Sequence, residues 1–307
     1  FSEDLYRSAV RLRPDEPIRL SVLNEDVAWI NKNPFRRANI FFDQGDTVGG
    51  TDLVLRTQER LPVRAYAGYN NNGSESTDRN QYLAGFNWGN AFGLGHQFNY
   101  QYTSSPDFRE LQGHSGSYAI PLPWRDTLTF SGAYSKIKPD MAAPFEREGM
   151  SGQASLRYDA DLAPVGPLRQ AVAMLLEYKV TDNNLLFGGI PVTDNRTDIV
   201  QLSGIYSGGF ADSWGANTFG LRLTASPGGM TGRNKTEYFE ISRASAKADY
   251  FYGTMDLART QPLPANFSLQ VNGRMQLASG NLLGSEQLGL GGVNSVRGFN
   301  EGTVYGD

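Results

Sequence analysis

From residue 62 onward the hydrophobic pattern repeats with a period of two. Residues 97–103, Gln-Phe-Asn-Tyr-Gln-Tyr-Thr, alternate polar with aromatic without a fault, and residues 267–277 keep the same rhythm through Phe267, Leu269, Val271, Met275 and Leu277. Phe219, Leu221 and Leu223 alternate with Gly220, Arg222 and Thr224, and Tyr82, Ala84, Phe86 and Trp88 alternate with small or polar partners. Successive side chains of a strand point to opposite faces, so each run predicts a strand with one apolar and one polar face. About eleven such segments of roughly 9–14 residues lie between 62 and 278. Soluble strands are nearer five or six residues, whereas about 9–11 cross a bilayer. The pattern predicts a mainly β chain, a transmembrane antiparallel β-barrel.

The connections carry a second signal. Residues 70–78, 138–148 and 227–246 are long and follow odd-numbered strands, whereas 90–95, 121–125 and 261–264 are short and follow even-numbered ones. Outer-membrane barrels show this asymmetry, with long loops outside and short turns in the periplasm. Parity then assigns the faces. The aromatic and aliphatic members are expected to face lipid, and Gln97, Asn99, Gln101, Glu177, Arg222, Gln270, Asn272, Arg274 and Gln276 to form a polar lumen.

Residues 1–60 read differently. Leu23, Val27 and Ile30 fall at i, i+4 and i+7 within 21–31, one face of a short helix that Asn33-Pro34 ends. Strand-like runs follow at 37–43 and 51–59, joined by a turn-rich stretch. The stretch predicts a small α/β module on the short-turn side of the barrel.

Composition narrows the function. The 307 residues carry 28 Lys+Arg against 32 Asp+Glu, a net charge of −4, without the basic footprint of nucleic-acid binding. There is no cysteine, hence no disulfide, thiolate metal site or thiol nucleophile. Mean hydropathy is −0.42, and the longest apolar run, 171–176, is far short of the roughly 18 residues of a membrane helix. A barrel remains compatible, because its lipid face hides in alternate residues. His96 and His114 are the only near-neutral bases, and both share the parity of outward-facing aromatic neighbours, which does not supply a Ser-His triad. No HExxH pair occurs. Residues 228–236 are superficially like a phosphate loop but lack the Gly-Lys-Ser/Thr ending and read as a barrel loop. No catalytic residue, metal site or cofactor is expected, and the chain is not read as an enzyme.

The last loop, 279–299, is glycine-rich, has Arg297 as its single cation, and places Leu282, Leu283, Leu288, Leu290, Val293 and Phe299 where water would meet them. Folded against the lumen wall, those aliphatics would pack there, and Arg297 would need an anion or several carbonyls.

Val296-Arg297-Gly298-Phe299, after this glycine-rich lead-in, resembles the Val-Arg-Gly-Tyr/Phe loop tip of the superfamily that inserts or translocates proteins at the outer membrane. Residues 31–36 (Asn-Lys-Asn-Pro-Phe-Arg) and 49–53 (Gly-Gly-Thr-Asp-Leu) resemble the last periplasmic POTRA domain of one branch; 69–74 and 87–95 resemble its first loop and second strand. That branch is the two-partner secretion transporter, TpsB type, also called the haemolysin secretion/activation family. Asn90-Ala91-Phe92-Gly93 stands where the family has Asn-Pro-Leu-Gly, and Asn70-Asn71 where it has Asp-Asn.

The resemblance implies that residues 1–60 are part of the second POTRA domain, periplasmic, and that 61–307 are the N-terminal part of a barrel of roughly sixteen strands. Of these, about 11–12 would be present, ending in the lumen-folding loop; a further POTRA domain and a plug helix would precede Phe1, and later strands would follow Asp307. The acidic partner of Arg297 would lie on one of those later strands. It also implies a function: export of a large β-rich partner exoprotein of adhesin or haemolysin type (TpsA type) from periplasm to cell surface, through the lumen, without nucleotide hydrolysis. Asn33, Pro34, Gly50, Thr51 and Asp52 would be a partner-binding POTRA segment. The other contacts would be outer-membrane lipid of a Gram-negative bacterium, with neither nucleic acid nor a small-molecule substrate. A barrel-assembly factor of the same superfamily is the alternative, and a passive porin the more distant one.

Overall fold

The computed structural model describes the chain except for residues 14–15, 46–49, 72, 74–77, 140, 142–143, 188–189, 194, 293–295, 297 and 300–302, and describes 183–187 and 190–193 by backbone alone. The N-terminal module contains α1 (Glu3–Ala9), α2 (Leu20–Ile30), β1 (Arg36–Gln44) and β2 (Thr51–Glu59). Helix α2 buries Leu23 and Ile30 as their spacing requires, but the third buried position is Asp26, with Val27 only half-buried. Asn31 caps the helix and grips β1, donating to the Ala38 carbonyl (3.1 Å) and accepting from the Ala38 amide (2.7 Å). β1 and β2 pair antiparallel from Arg36–Glu59 to Gln44–Thr51, as the two strand-like runs predict. Helix α1 has no counterpart in the sequence reading. Its Tyr6 packs with Ile30 and Ala38, and the Tyr6 hydroxyl donates to Glu59 (2.7 Å). Burial and that carboxylate raise the Tyr6 pKa to about 12.

Only residues 60–62 separate this module from a single antiparallel sheet of β3 (Val63–Asn70), β4 (Gln81–Ala91), β5 (His96–Ser104), β6 (Leu111–Pro121), β7 (Thr127–Ile137), β8 (Phe145–Val165), β9 (Leu168–Phe187), β10 (Ile190–Thr193), β11 (Arg196–Ala211), β12 (Ala216–Pro227), β13 (Asp249–Pro262) and β14 (Ser268–Ala278). Sequential long strands are neighbours throughout, and the short β10 folds back on β9. The sequence expectation of about eleven long strands agrees with this order, but the lengths do not all fall at 9–14: β8 has 21 residues, β9 has 20 and β11 has 16. Among the described residues, no helix is long and apolar enough to cross a membrane.

The alternation produces two chemically different faces. Along β9, Met174 (60% exposed) and Leu176 (48%) lie on one side, and Leu175 (8%) and Glu177 (4%) on the other. The apolar face carries most of the aromatics, and both histidines sit among them: His96 bonds the Tyr118 hydroxyl and His114 that of Tyr100, each at 2.7 Å. The expectation that every aromatic and aliphatic member takes this face is corrected at Leu175, Ile199, Tyr250 and Tyr252. These lie on the polar face, where packing, not solvent, surrounds them. Tyr66 also crosses the polar face, its hydroxyl reaching Gln101 at 3.1 Å.

The connections follow the odd–even rule. Residues 92–95, 122–126, 166–167, 212–215 and 263–267 are the tight turns, and the N-terminal module contacts three of that end's strand pairs: Asn33 bonds the Gly89 carbonyl, Arg125 bonds Asp26, and Lys32 pairs with Asp161. At the other end, 228–248 is a long excursion containing α3 (Thr236–Ser242), which the sequence reading did not anticipate. After β14 the chain folds back over the sheet before pairing β15 (Leu288–Leu290) with β16 (Val304–Gly306).

Gly85 is where Tyr66 needs room. A Cβ there would lie 2.4 Å from the Tyr100 carbonyl oxygen and 2.6 Å from the Tyr66 hydroxyl. Gly85→Ala is therefore expected to destabilise the sheet by about 1–3 kcal/mol. A lowered urea midpoint in detergent micelles checks this; an unchanged midpoint would mean that Tyr66 does not lie over Gly85.

Candidate functional site on the polar face

Strand parity places Gln153 on β8, Glu177 and Lys179 on β9, Gln201 and Ser203 on β11, Arg222 and Thr224 on β12, Tyr250 and Tyr252 on β13 and Gln276 on β14 on the polar face. Into this array the returning chain inserts Glu286, 5% exposed. Its carboxylate accepts from Lys179 Nζ (2.8 Å), Gln201 Nε2 (3.0 Å) and the Tyr252 hydroxyl (2.9 Å), while its backbone carbonyl accepts from Gln276 (2.9 Å). Glu177 in turn accepts from Gln153 (3.1 Å), Gln201 (3.0 Å) and the Arg222 guanidinium. Arg222 also reaches Ser203 and Thr224, and Tyr250 donates to Gln201 Oε1 at 2.8 Å. Two carboxylates face two cations, so the cluster is neutral and its donors and acceptors are matched, the condition under which charges tolerate burial.

Apolar packing backs the same loop stem. Leu282 and Leu283 are buried against Phe239 of α3, Ile199, Tyr250 and Tyr252. Asp307 closes the stem from its far side, accepting from Arg243 at 2.6 and 2.7 Å, from the Leu282 amide (3.0 Å) and from Gln287 (3.2 Å). Burial pushes the Glu286 pKa up, but Lys179, Gln201 and Tyr252 outweigh it and hold the carboxyl below its ordinary value.

Of the expected lumen residues, Glu177 and Arg222 are joined directly, and Gln276 meets the loop. Asn99 bridges Asn87 (2.7 Å) and Ser117 (3.1 Å), and Gln101 serves Tyr66. Gln97 lies on β5 outside the cluster, and Gln270, Asn272 and Arg274 remain exposed on β14, Arg274 pairing with Asp256 at 2.5 Å. The expectation that the whole last loop packs on the wall is corrected: Leu282 and Leu283 do so, whereas Leu290, Val296 and Phe299 are exposed. Gly298 adopts a left-handed φ of +93°, and Val293 and Arg297 lie outside the described residues. Asn33 is buried, its amide donating to the Gly89 carbonyl at 2.6 Å and its oxygen accepting from the Phe35 amide, so it serves the junction. Pro34, Thr51 and Asp52 are exposed, and Gly50 half-buried.

The sequence reading passed over Lys179, Gln201 and Glu286. Lys179 shares the parity of Glu177 two residues earlier, and Glu286 is the only carboxylate in residues 279–292. Those were the available signals; the pairing itself depends on where the loop returns.

A long-stranded antiparallel sheet with an aromatic face, a polar face and a loop stem docked on the polar side is the kind of sheet from which outer-membrane β-barrels are built. The sequence model of the haemolysin secretion/activation proteins ShlB/FhaC/HecB matches residues 49–307, and the chain belongs to that family. It is 23% identical, over 322 aligned residues, to the outer membrane transporter CdiB of Dickeya dadantii (strain 3937), covering 100% of this chain and 55% of that protein. Its fold is similar to CdiB from Escherichia coli (TM-score 0.83, 17% identity, 96% of this chain and 55% of that one) and to CdiB from Acinetobacter baumannii (0.70, 18%, 99% and 55%). BamA from Haemophilus ducreyi, lacking POTRA domains 1–3, is a more distant likeness (0.57, 12%, 99% and 58%). The chain thus spans about 55% of the length of the CdiB relatives it matches.

Glu286→Ala leaves Lys179 without its closest partner and is expected to cost loop docking about 3–5 kcal/mol, much of it recovered in the Glu286→Leu/Lys179→Met double variant. Amide exchange across residues 282–287 measures both. The pH dependence follows from the depressed Glu286 pKa. Its stabilisation is complete above the ordinary value of 4.5 and is lost as pH falls through the lower folded value. Protection, corrected for intrinsic exchange, should therefore be level from neutral pH to about pH 5 and drop only in more acidic solution.

Proposed function

We propose that this chain is part of an outer-membrane transporter that exports a large β-rich partner protein from periplasm to cell surface, with residues 61–307 the N-terminal part of its barrel. The observation that carries this reading is the loop stem docked on the polar face through a neutral, exchangeable network. If the stem leaves, Lys179 still has Glu177 at 3.9 Å, and Arg222 keeps Glu177, so the wall retains paired charges while the polar face opens. An unfolded partner could then pass along a surface of Asn, Gln, Ser and Gly that satisfies main-chain polar groups without binding any one sequence tightly. A polar hollow of about 390 Å³, lined by Tyr66, Gln101, Ser117, Ser131, Gln153 and Ser155, lies on that surface.

Residues 1–60 are read as part of a periplasmic POTRA domain, and β1–β2 as a sheet to whose edge a partner adds a strand, main chain to main chain. Of the exposed members of the suggested partner segment, Pro34, Thr51 and Asp52, the last two lie on this sheet, at the start of β2. Outside the cell, folding of the partner supplies direction without nucleotide. The apolar face, with tyrosines and histidines near its ends, is read as the lipid face in a Gram-negative outer membrane.

The test is quantitative proteomics of culture medium and outer membrane, with and without the gene. Loss of one large secreted protein with other barrels unchanged is the expected result. Broad depletion of barrels would make the protein an assembly factor, and no change in either fraction would favour a porin. Within the loop, Arg297→Ala is expected to cut secretion while leaving membrane insertion largely intact; equal loss of both would make Arg297 a residue of the fold.

A further inference from the structure

Asp26 is the anomaly of the N-terminal module: a carboxylate at 0% exposure in the middle of the packed face of α2. Its oxygens accept from the Arg11 amide and from Arg11 Nε, both at 2.9 Å, and from the guanidinium of Arg125. Arg125 belongs to the tight turn between β6 and β7, and the same nitrogen also reaches the Ala9 carbonyl at 2.8 Å. A residue of the β6–β7 turn therefore enters the module between α1 and α2 and completes the coordination of its buried charge.

Arg125 has φ +74°, in the left-handed region that favours glycine, as do Phe92, Ala265 and Asn266 in other tight turns of this rim. At Arg125 the side chain leaves the turn and bridges two parts of the molecule. Phe35 supports the seat by lying over Gly89, where a Cβ would come within 2.0 Å of its ring, and Lys32 meets Asp161 at 2.7 Å at the exposed edge of the contact.

We propose that Arg125 is a positioning residue for export: it locks the module onto the short-turn rim, so that the β1–β2 edge is held in one fixed relation to the polar face. The proposal rests on the export reading above, but its geometry can be tested independently. Arg125→Gly is the informative variant, because it suits the turn's φ and removes the whole side chain that enters the module. These 307 residues contain no cysteine, so Lys32→Cys and Asp161→Cys introduce a single reporter pair within them, and each single variant is the control for cross-links made elsewhere. That ion pair is exposed and contributes little itself.

In outer membranes from cells expressing the full chain, a short bis-maleimide should join the two cysteines efficiently when Arg125 is present. In the Arg125→Gly background the cross-link should fall by at least about tenfold, less than for a buried charge left wholly unpaired, because Asp26 keeps Arg11. Arg125→Lys should restore part of it. Secretion of the partner should fall in parallel, with the heat-modifiable folded barrel at unchanged abundance. An unchanged cross-link in Arg125→Gly would overturn the lock, and loss of the folded barrel would reassign Arg125 to the fold. A lost cross-link with normal secretion would overturn the role in export. If the parent protein secretes nothing, the export reading fails, and the cross-link alone decides whether Arg125 holds the module.

Discussion

Two adjacent residues of a strand cannot face the same side, and nearly everything in this protein follows from that constraint. The long strands are antiparallel neighbours in register, so one parity is shared across the whole sheet. A single choice of apolar parity therefore makes a continuous aromatic and aliphatic surface on one face and a continuous polar surface on the other. One residue of slippage would exchange the two, placing Glu177 and Lys179 among the aromatics. The register is held by burial as well as by backbone hydrogen bonds.

The polar face is not uniform. Where the returning chain meets it, around Lys179, Gln201, Tyr252 and Gln276, it is covered, and there the charges are matched: Glu177 and Glu286 against Lys179 and Arg222. Over β5 to β8 it carries mainly small neutral groups such as Ser115, Ser117, Ser131 and Ser155. The division has a physical logic. Ion pairs need fixed partners at short distance, which the loop stem supplies. A surface left open is better furnished with groups that water can satisfy in many ways.

The two ends of the sheet also use different devices. At the long-loop end the contact is an apolar cluster around Phe239, Leu282 and Leu283 with polar groups at its margin, between segments far apart in sequence. At the short-turn end a buried carboxylate, the Arg125 guanidinium and a glycine that makes room for Phe35 join the N-terminal module to the sheet. Directional ionic contacts set an angle more sharply than apolar packing does.

Much of this could be read without coordinates. Alternation gave the strand class, the strand count and the polar parity, because side-chain direction in a strand is a local property. Turn length gave the two ends, and the 3.6-residue spacing gave α2. The sequence did not show that Leu175, Ile199, Tyr250 and Tyr252 belong to the polar face, that Asp26 is buried, or that Glu286 meets Lys179 from 107 residues away. Each depends on which distant segment returns to cover a surface, so no local period encodes it. The tertiary structure decided those pairings, because the charge that neutralises a buried residue and the side chain that covers an apolar one are set by proximity in space.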